Sequence, residues 1–308
     1  MIKIKPSKIV SNWIVLQGEA KHGKSKISYE STPATTVKTG PNAGQSIGVI
    51  LKSDKYFQNG SISFQVMIST PDSKCQIIFN QFLETEYFVG LNFGGAAYGI
   101  AGFRSGEWTQ LAATGFGQSP SLKEWIPVRI TVTGSEISLF INDIRVIAGS
   151  APIAKAQLAI WLCGSGSIEV KDVVVDEIKS KVFVVMQFTE EYNSLYTEVI
   201  RPTCEDFGYE CVRADDIYNN GSIIEDIVQS IRESSLVIAD VTPDNPNVFY
   251  EVGFAHGIQK PTILLSDRKR EKLPFDVSGV RTLFYDNSIG GKSTIEDRLR
   301  KHLEKLRA

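Results

Sequence analysis

The chain has 308 residues, 42% of them hydrophobic and 22% charged, and its formal net charge is −2. This balance is typical of a soluble globular protein and excludes wholesale attraction to nucleic acid or anionic lipid. There is no apolar run of about 18 residues to predict a transmembrane helix, and the first ten residues lack the apolar segment of a signal peptide, so we expect a cytoplasmic protein.

The first half, residues 1–178, predicts strands only. Short β-branched and aromatic runs alternate with turns rich in Gly, Asn, Asp, Ser and Pro. Many short strands separated by such turns are typical of an all-β sandwich or jelly roll. The clearest runs are 61–69, 75–82, 87–94, 128–134, 136–149, 156–164 and 167–178.

In the second half, residues 179–308, predicted strands and helices alternate. This alternation predicts a parallel sheet with helices on both faces, joined to the first domain by a short linker around 175–181. The predicted strands are 181–188, 209–215, 235–242, 260–267 and 281–287. The predicted helices are 190–208, 221–235, one beginning at Pro246, and 292–306.

The four cysteines, Cys75, Cys163, Cys204 and Cys211, form no CxxC pair. Three of them lie in apolar runs that predict core positions. We therefore interpret them as reduced, buried thiols and expect no zinc or other metal site.

The predicted sheet suggests where a ligand would bind. In open parallel sheets, ligands bind beyond the carboxyl ends of the strands, where the strand order reverses. The residues that follow the five strands are polar and mostly acidic, with one aromatic: Gln187 and Phe188, Asp215 and Asp216, Asp240 and Thr242, Ser266 and Asp267, and Asp286 and Asn287.

The helix after the third strand carries a single acid, Glu251. Asn245 can cap this helix, and Pro246 suits its first position. Asn247 and Ala255 lie one turn on either side of Glu251, so that face has room for a ligand. An unpaired carboxylate among apolar neighbours is costly unless it faces a polar cleft, which makes Glu251 a candidate active-site group. A surface acid paired with a lysine is the simpler interpretation.

The segment "IADVTPDNPNVFYEVGFAHGIQKPTILL", residues 238–265, resembles the core motif of the nucleoside 2-deoxyribosyltransferase-like and TIR-like superfamily. "VFVVMQF", "RADDI" and "LPFDVSGVRTLFYDN" resemble its bacterial TIR-like branch, so the likeness covers nearly all of 181–308. The resemblance implies a flavodoxin-like sheet, and a catalytic glutamate that matches Glu251. Asp240 matches the acid that ends the third strand.

The resemblance also assigns binding residues. Gln187 and Phe188 match the first loop, which lines the ribose and base pocket. Deoxyribosyltransferases have an aspartate shortly before the glutamate, whereas this chain has Asn245 and Asn247. A late asparagine of those enzymes reaches a neighbouring subunit's pocket, and Asn287 is the candidate here.

Other residues keep two interpretations. Asp215 and Asp216 are candidates to bind ribose hydroxyls, but solvation of their loop explains them equally well. Asp240 can bind substrate or brace the following loop. We carry all three as substrate-binding candidates.

Both branches of the superfamily break an N-glycosidic bond. A carboxylate beside the anomeric carbon stabilises or attacks the oxocarbenium-like transition state. A purine or pyrimidine leaves poorly without protonation, whereas the nicotinamide of NAD is already cationic and leaves as a neutral molecule. The sequence offers Glu251 no obvious acid partner, and this favours NAD cleavage.

In the first half, the segment "EWIPVRITVTGSEISLFINDIRVI" resembles the late hairpin of concanavalin-A-like lectin and glucanase folds. The chain lacks the paired carboxylates of a glucanase, so we expect a binding or assembly module. Among the tryptophans Trp13, Trp108, Trp125 and Trp161, we interpret Trp125 and Trp161 as core. Trp108 is the candidate for an exposed carbohydrate-stacking surface.

The sequence thus predicts a β-sandwich at 1–178 that senses a ligand or mediates assembly, and a TIR-like domain at 179–308 that cleaves NAD as a substrate, without a cofactor. The TIR-like resemblance implies antiphage defence and a homo-oligomer. We expect no nucleic-acid or membrane partner. Two alternatives stay open: a nucleoside or nucleotide N-glycosidase or 2-deoxyribosyltransferase, and a non-catalytic binder of a nucleotide signal.

Overall fold

A computed structural model of the protein describes residues 8–10, 12–31, 48–216, 223–270, 272–274, 277 and 279–307. The chain divides into two compact units. The first comprises Met1–Val132 and Glu136–Ile178, and the second comprises Thr133–Ser135 and Lys179–Ala308.

The first unit is built from antiparallel strands. Over its described residues, one sheet has the order β13-β12-β11-β6-β15-β4-β3, with β1 also paired to β15, and the other has the order β10-β9-β8-β7-β14-β5-β2. The strands are β1 (Lys8–Ile9), β2 (Trp13–Gln17), β3 (Lys21–His22), β4 (Lys26–Tyr29), β5 (Val49–Phe57), β6 (Gly60–Ile68), β7 (Lys74–Phe79), β8 (Glu86–Phe93), β9 (Ala96–Arg104), β10 (Glu107–Phe116), β11 (Ile126–Thr133), β12 (Glu136–Ile141), β13 (Ile144–Ser150), β14 (Ala156–Cys163) and β15 (Ile168–Glu177).

The two sheets share one apolar core. Alternate residues of β6, such as Ile62 and Val66, meet alternate residues of β14, such as Ile160 and Leu162. Because side chains alternate across a strand, the residues between core positions, such as Ile78 and Ala159, lie on the opposite face of their sheet, where they form a separate apolar cluster. Each fully buried side chain of this kind contributes roughly 1.5–3 kcal/mol of transfer free energy. The predicted all-β sandwich is confirmed.

The structure defines two boundaries in this unit that the sequence leaves approximate. Residues 136–149 form a hairpin, because Asn142 and Asp143 adopt φ values of 50° and 61° at its turn, and hairpins of two turn residues favour positive φ there. The predicted linker at 175–181 begins too early, since β15 extends to Glu177 and pairs with β6 to that end.

The second unit alternates strands and helices, as predicted. Its described elements are β16 (Lys181–Val185), α1 (Glu190–Leu195), a π-helical segment (Tyr196–Ile200), α2 (Arg201–Asp206), β17 (Glu210–Arg213), a 3-10 turn (Ala214–Asp216), α3 (Ile223–Glu233), β18 (Leu236–Asp240), α4 (Pro246–Gly257), β19 (Thr262–Asp267), β20 (Thr282–Tyr285) and α5 (Ile289–Arg307).

The strands of this unit form a parallel sheet in the order β17-β16-β18-β19-β20. This is the 2-1-3-4-5 order of flavodoxin-like folds. The first helical stretch and α5 pack on one face, around residues such as Val184 and Leu299. Helices α3 and α4 pack on the other, around Val237 and Val252. The predicted parallel sheet with helices on both faces is confirmed.

The predicted helix at 190–208 is interrupted in the structure. Pro202 lacks a backbone N–H, so regular α-helical bonding cannot pass through it. The chain forms the π-helical segment just before this proline and then resumes as α2. The stretch ends before Gly208, whose φ of 79° favours glycine.

Candidate functional site

The candidate site lies at the carboxyl edge of the parallel sheet. Strands β16 and β18 are neighbours, with Val185 paired to Ala239. The chain leaves β16 toward β17 on one side and later enters β18 on the other, so the strand order reverses between them. The loops that begin with Gln187 and Val241 therefore leave the edge side by side, where a ligand crevice is expected.

Helix α4 begins at this edge as the sequence predicts. The Asn245 side chain accepts a hydrogen bond at 3.0 Å from the backbone N–H of Asn247, and Pro246 occupies the first helical position. The side-chain oxygen of Asn245 therefore caps the helix, whereas Asn247 is exposed. Whether either residue binds substrate stays a prediction.

Glu251 lies in the second turn of α4 and is 9% exposed. Its neighbours along the helix, Val248 and Ala255, belong to the apolar core. Among the described residues the carboxylate has no hydrogen-bond or ion-pair partner, and burial raises the pKa of Glu251 to about 7. A carboxylate in this state lacks a counter-charge, so a cationic ligand or transition state would stabilise its ionised form.

Asp240, at the end of β18, is buried and well satisfied. Its Oδ1 accepts hydrogen bonds from the Thr242 backbone N–H at 2.9 Å and from the Thr242 hydroxyl, and its Oδ2 accepts one from the Tyr285 hydroxyl at 2.7 Å. Burial raises the pKa of Asp240 although these hydrogen bonds act in the opposite direction. The geometry supports the bracing interpretation, and a direct role in substrate binding stays untested.

The residues after β16 and β17 form a second group at the same edge. Phe188 is half exposed, and its ring lies near the guanidinium of Arg213. Arg213 also binds Asp215 through two hydrogen bonds, so Asp215 is engaged in a bidentate ion pair. Gln187 is partly exposed. The side chain of Asp216 lies outside the described part.

Arg213 and Arg270 are not among the site residues that the sequence predicts, although Arg213 opens the "RADDI" segment. Arg270 donates to the backbone oxygens of Val241 at 2.5 Å and Thr242 at 2.7 Å, and it also binds Asp244. It therefore holds the loop that leads from β18 to α4. The signal for both residues was their position, just after a predicted strand or at its end.

Asn287 does not line a cavity with Glu251 in the described residues. It lines a cavity of about 350 Å³ on the face of the sheet that carries α5. Other residues around this cavity are Tyr192, Glu198, Tyr285 and Lys292, with Lys292 donating to Glu198 at 2.8 Å. The predicted role of Asn287 at a neighbouring subunit's pocket stays a prediction.

The first unit carries a separate candidate surface, which we call the aromatic platform: Phe88, Phe103, Trp108 and Trp161. The ring centroid of Trp108 lies 4.7 Å from that of Phe88, 4.9 Å from that of Phe103 and 6.3 Å from that of Trp161, to which it is nearly parallel at 20°. Trp108 is 51% exposed.

The aromatic platform lies outside the sandwich core. Phe88 and Trp161 belong to an apolar cluster with Ile78 and Ala159, whose strand neighbours Ile77 and Ile160 point into the core between the sheets. The interpretation of Trp161 as a core residue is therefore wrong, because its position in the alternation places it on the outer face. Trp125, also interpreted as core, is only half-buried and lies outside the apolar clusters of the described residues, with the Lys171 amine 3.9 Å from its ring centroid.

Two kinds of feature are absent from the described residues. These residues contain no cluster of three or more His, Cys, Asp or Glu side chains that could hold a metal ion. They also contain no helix with the length and hydropathy needed to span a membrane. All four cysteines are buried and free of disulfides.

No protein-family model matches the sequence, and no curated protein matches it. Solved structures similar to the chain include a carbohydrate-binding module from Bacillus subtilis, with 10% identity over 53% of this chain and 94% of the module and a TM-score of 0.41. A β-glucanase from Bacillus licheniformis has 7% identity over 53% of this chain and 90% of its own, with a TM-score of 0.37. A galectin from Caenorhabditis elegans has 14% identity over 42% of this chain and 91% of its own, with a TM-score of 0.35. No inference about ligand or activity follows from likenesses this distant.

Proposed function

We propose that the second unit is an NAD glycohydrolase of the TIR-like kind and that Glu251 is its catalytic carboxylate. The observation that carries the proposal is the state of Glu251, nearly buried in an apolar helix and without a partner among the described residues. The helix begins at the edge where flavodoxin-like sheets bind ligands. The resemblance of residues 238–265 to the TIR-like motif supports the same assignment.

The proposed reaction needs one carboxylate and no general acid. Ionised Glu251 stabilises the positive charge that develops at the anomeric carbon as the bond to nicotinamide breaks. Nicotinamide leaves as a neutral molecule with the bonding electron pair. Water then adds to the anomeric carbon and releases a proton, so that NAD and water yield ADP-ribose, nicotinamide and a proton.

The charge of the substrate fits the electrostatics of Glu251. Burial raises the pKa of Glu251 to about 7, so in a large share of the free protein molecules this carboxyl group is protonated at neutral pH. A cationic nicotinamide ring nearby favours the ionised form and lowers this pKa again. Substrate binding would therefore produce the reactive carboxylate.

The first experiment is chromatography of NAD incubated with the full chain, wild type beside Glu251→Gln. Because Gln keeps the shape but cannot carry negative charge, we expect nicotinamide release to fall by about 100- to 1,000-fold. Glu225→Gln is the matched control, because Glu225 is an exposed acid in the first turn of α3. Equal release by wild type and Glu251→Gln would contradict the proposal.

The same assay separates the alternatives. If wild type releases no nicotinamide but exchanges bases on deoxynucleosides, the unit is a deoxyribosyltransferase or a related N-glycosidase. If NAD or a nucleotide binds without turnover, and Glu251→Gln does not alter its affinity, the unit is a binder of a nucleotide signal.

A second observation supports a function for the sandwich. We propose that it is a concanavalin-A-like module whose aromatic platform binds carbohydrate through Trp108, the exposed ring that packs on the buried Phe88. Exposed aromatic rings stack on the flat C–H faces of sugars, and a clustered apolar surface usually marks a binding site. Cellohexaose, whose rings present such faces, is a suitable probe for calorimetric titration. We expect Trp108→Ala to weaken its binding by about 10-fold, as loss of a stacking ring does. Phe116→Ala, at an exposed ring outside the platform, is the control. No binding by wild type, or equal binding by Trp108→Ala, would contradict the proposal.

We further propose that ligand binding or oligomerisation through the sandwich activates NAD cleavage, in the manner of an antiphage effector that drains NAD. This follows from the TIR-like resemblance together with a fused module that has no catalytic role in the proposal. Specific activity should rise with protein concentration if neighbouring copies complete the pocket. Constant specific activity across a dilution series that yields monomers would contradict activation by assembly.

A further inference from the structure

Arg213, the last residue of β17, is only 7% exposed. Its Nε and Nη2 donate to the two carboxylate oxygens of Asp215, each at 2.5 Å, and its Nη1 donates to the side-chain oxygen of Asn193 at 3.0 Å. Planar, bidentate pairing of this kind fixes the orientation of a guanidinium and not only its charge.

The same guanidinium contacts two aromatic rings. Its central carbon lies 4.2 Å from the ring centroid of Tyr196 and 5.3 Å from that of Phe188. Tyr196 is buried, whereas Phe188 is 51% exposed. A buried, oriented cation therefore holds a ring that still presents much of its surface to solvent.

Arg213 joins segments that are separate in the sequence. Phe188 lies in the loop after β16, Asn193 lies in α1, and Asp215 follows β17. Ordering a loop side chain opposes its conformational entropy, so Phe188 needs such contacts to keep one position. Through them, an exposed aromatic ring stays fixed at the edge where the proposed substrate binds.

The charge of Arg213 indicates which part of a dinucleotide the ring suits. A ring that already interacts with a cation is a poor platform for the cationic nicotinamide, because like charges repel at short range. Adenine is neutral and planar, and stacking of a base on an aromatic side chain is favourable for any base. Glu251, buried in α4, is assigned to the nicotinamide end of the substrate.

We propose that Arg213 is a positioning residue that holds Phe188 to stack on the adenine of a dinucleotide substrate. The inference rests on the proposed NAD glycohydrolase for the identity of the substrate. It goes beyond that proposal because it assigns the adenine end of the substrate and gives a specific role to Arg213, the first residue of the "RADDI" segment.

The test compares ligands with and without adenine on the full chain. Calorimetry measures binding of ADP-ribose and of ribose 5-phosphate to wild type, Phe188→Leu, Phe188→Trp and Arg213→Lys. We expect Phe188→Leu and Arg213→Lys to weaken ADP-ribose binding by about 10-fold, a typical loss for one stacked base. Phe188→Trp keeps a ring and should retain binding, and ribose 5-phosphate should bind all four proteins alike.

Kinetics provide a second readout that a merely structural role would not give. The same two variants should raise KM for NAD and leave kcat/KM for nicotinamide mononucleotide, which lacks adenine, unchanged. Arg300→Lys is the matched control, because Arg300 binds Asp206 at 2.6 Å elsewhere in the same unit. Arg213→Lys keeps the positive charge but removes the planar guanidinium that pairs with Asp215. If Arg213→Lys folds poorly, Phe188→Leu still tests the stacking.

The outcomes distinguish the two proposals. Equal losses for NAD and nicotinamide mononucleotide, or wild-type affinity of Phe188→Leu for ADP-ribose, would overturn the adenine assignment even if NAD is cleaved. Binding of ADP-ribose that depends on Phe188, without cleavage of NAD, would overturn only the hydrolase. A wild type that binds ADP-ribose no better than ribose 5-phosphate would also overturn the stacking inference.

Discussion

The sandwich and the α/β unit bury their sheets in different ways. In the sandwich, one face of each sheet packs into a shared core, and an outer sheet face carries the aromatic platform. In the α/β unit, apolar cores cover both faces of the sheet, so ligand-binding groups are left to the carboxyl edge and the helices. A sheet face can serve as a binding surface only where no helix covers it.

The pKa values of carboxyl groups are also shifted in opposite directions in the two units. In the sandwich, hydrogen bonds from Thr70 and Ser165 outweigh burial and lower the pKa of Asp72. In the α/β unit, burial raises the pKa of Glu251 and of Asp240. We therefore expect the effects of pH to be concentrated in the α/β unit, and the following predictions test that contrast.

The largest expected effect is on the pH dependence of NAD cleavage. Because the proposed mechanism needs ionised Glu251, kcat/KM should rise about 10-fold per pH unit below the pKa of about 7 and level off above it. A pH profile of nicotinamide release by the full chain measures this. A flat profile through that region would contradict a catalytic role for a carboxylate whose pKa is raised.

The next effect is on stability. The folded pKa of Glu251, about 7, exceeds its ordinary value of 4.5, so the folded protein binds more protons between them and loses stability as pH rises through this interval. Glu251→Gln removes the loss and should raise the free energy of unfolding above about pH 7 by on the order of 3 kcal/mol at most. Urea unfolding of wild type and variant near pH 5 and near pH 8 measures it. A difference independent of pH would contradict the raised pKa.

A smaller effect is expected from the bracing network of Asp240. Asp240→Ala removes the acceptor of the Thr242 backbone N–H and leaves the hydroxyls of Thr242 and Tyr285, 3.1 Å apart, with only each other to bond to, which should lower the free energy of unfolding by about 2–3 kcal/mol. Tyr285→Phe removes one donor and should lower it by about 1 kcal/mol. Urea unfolding followed by far-UV circular dichroism checks both. A larger loss for Tyr285→Phe than for Asp240→Ala would contradict this assignment.

The smallest expected effect is at the aromatic platform. Its rings do not titrate near neutral pH, so cellohexaose binding should change by less than about 2-fold between about pH 5 and pH 8. Calorimetric titration across this interval measures it. A steep pH dependence would show that a charged group contributes to binding, such as Lys74, whose amine lies 5.3 Å from the ring centroid of Trp161.

Much of the fold could be predicted because its signals are local. Continuous apolar strands between amphipathic helices indicated the parallel sheet, and Asn245 with Pro246 indicated the start of α4. Strands β9 and β10 gave weaker signals, since they contain several small residues and glycines. The interruption of the first helix depended on how the chain adapts to Pro202, which sequence periodicity does not show.

The candidate site was predicted only in part. Glu251 could be singled out because it is the one acid in an apolar helix, and Asp240 because it ends a buried strand. Arg213 and Arg270 could not, because their importance comes from partners such as Asn193 and Val241 that lie far from them in the sequence.

The sequence by itself determined the two kinds of unit, the carboxyl-edge residues and the acid in α4, because period, turn chemistry and helix caps act over a few residues. Only the tertiary structure decided that Trp161 joins Trp108 on an outer sheet face, that Asp240 is satisfied by Tyr285, and that Arg213 holds Phe188. Each of these depends on the order in which the strands are arranged in their sheets. That choice is made by the burial of whole sheet faces, which no short stretch of sequence specifies.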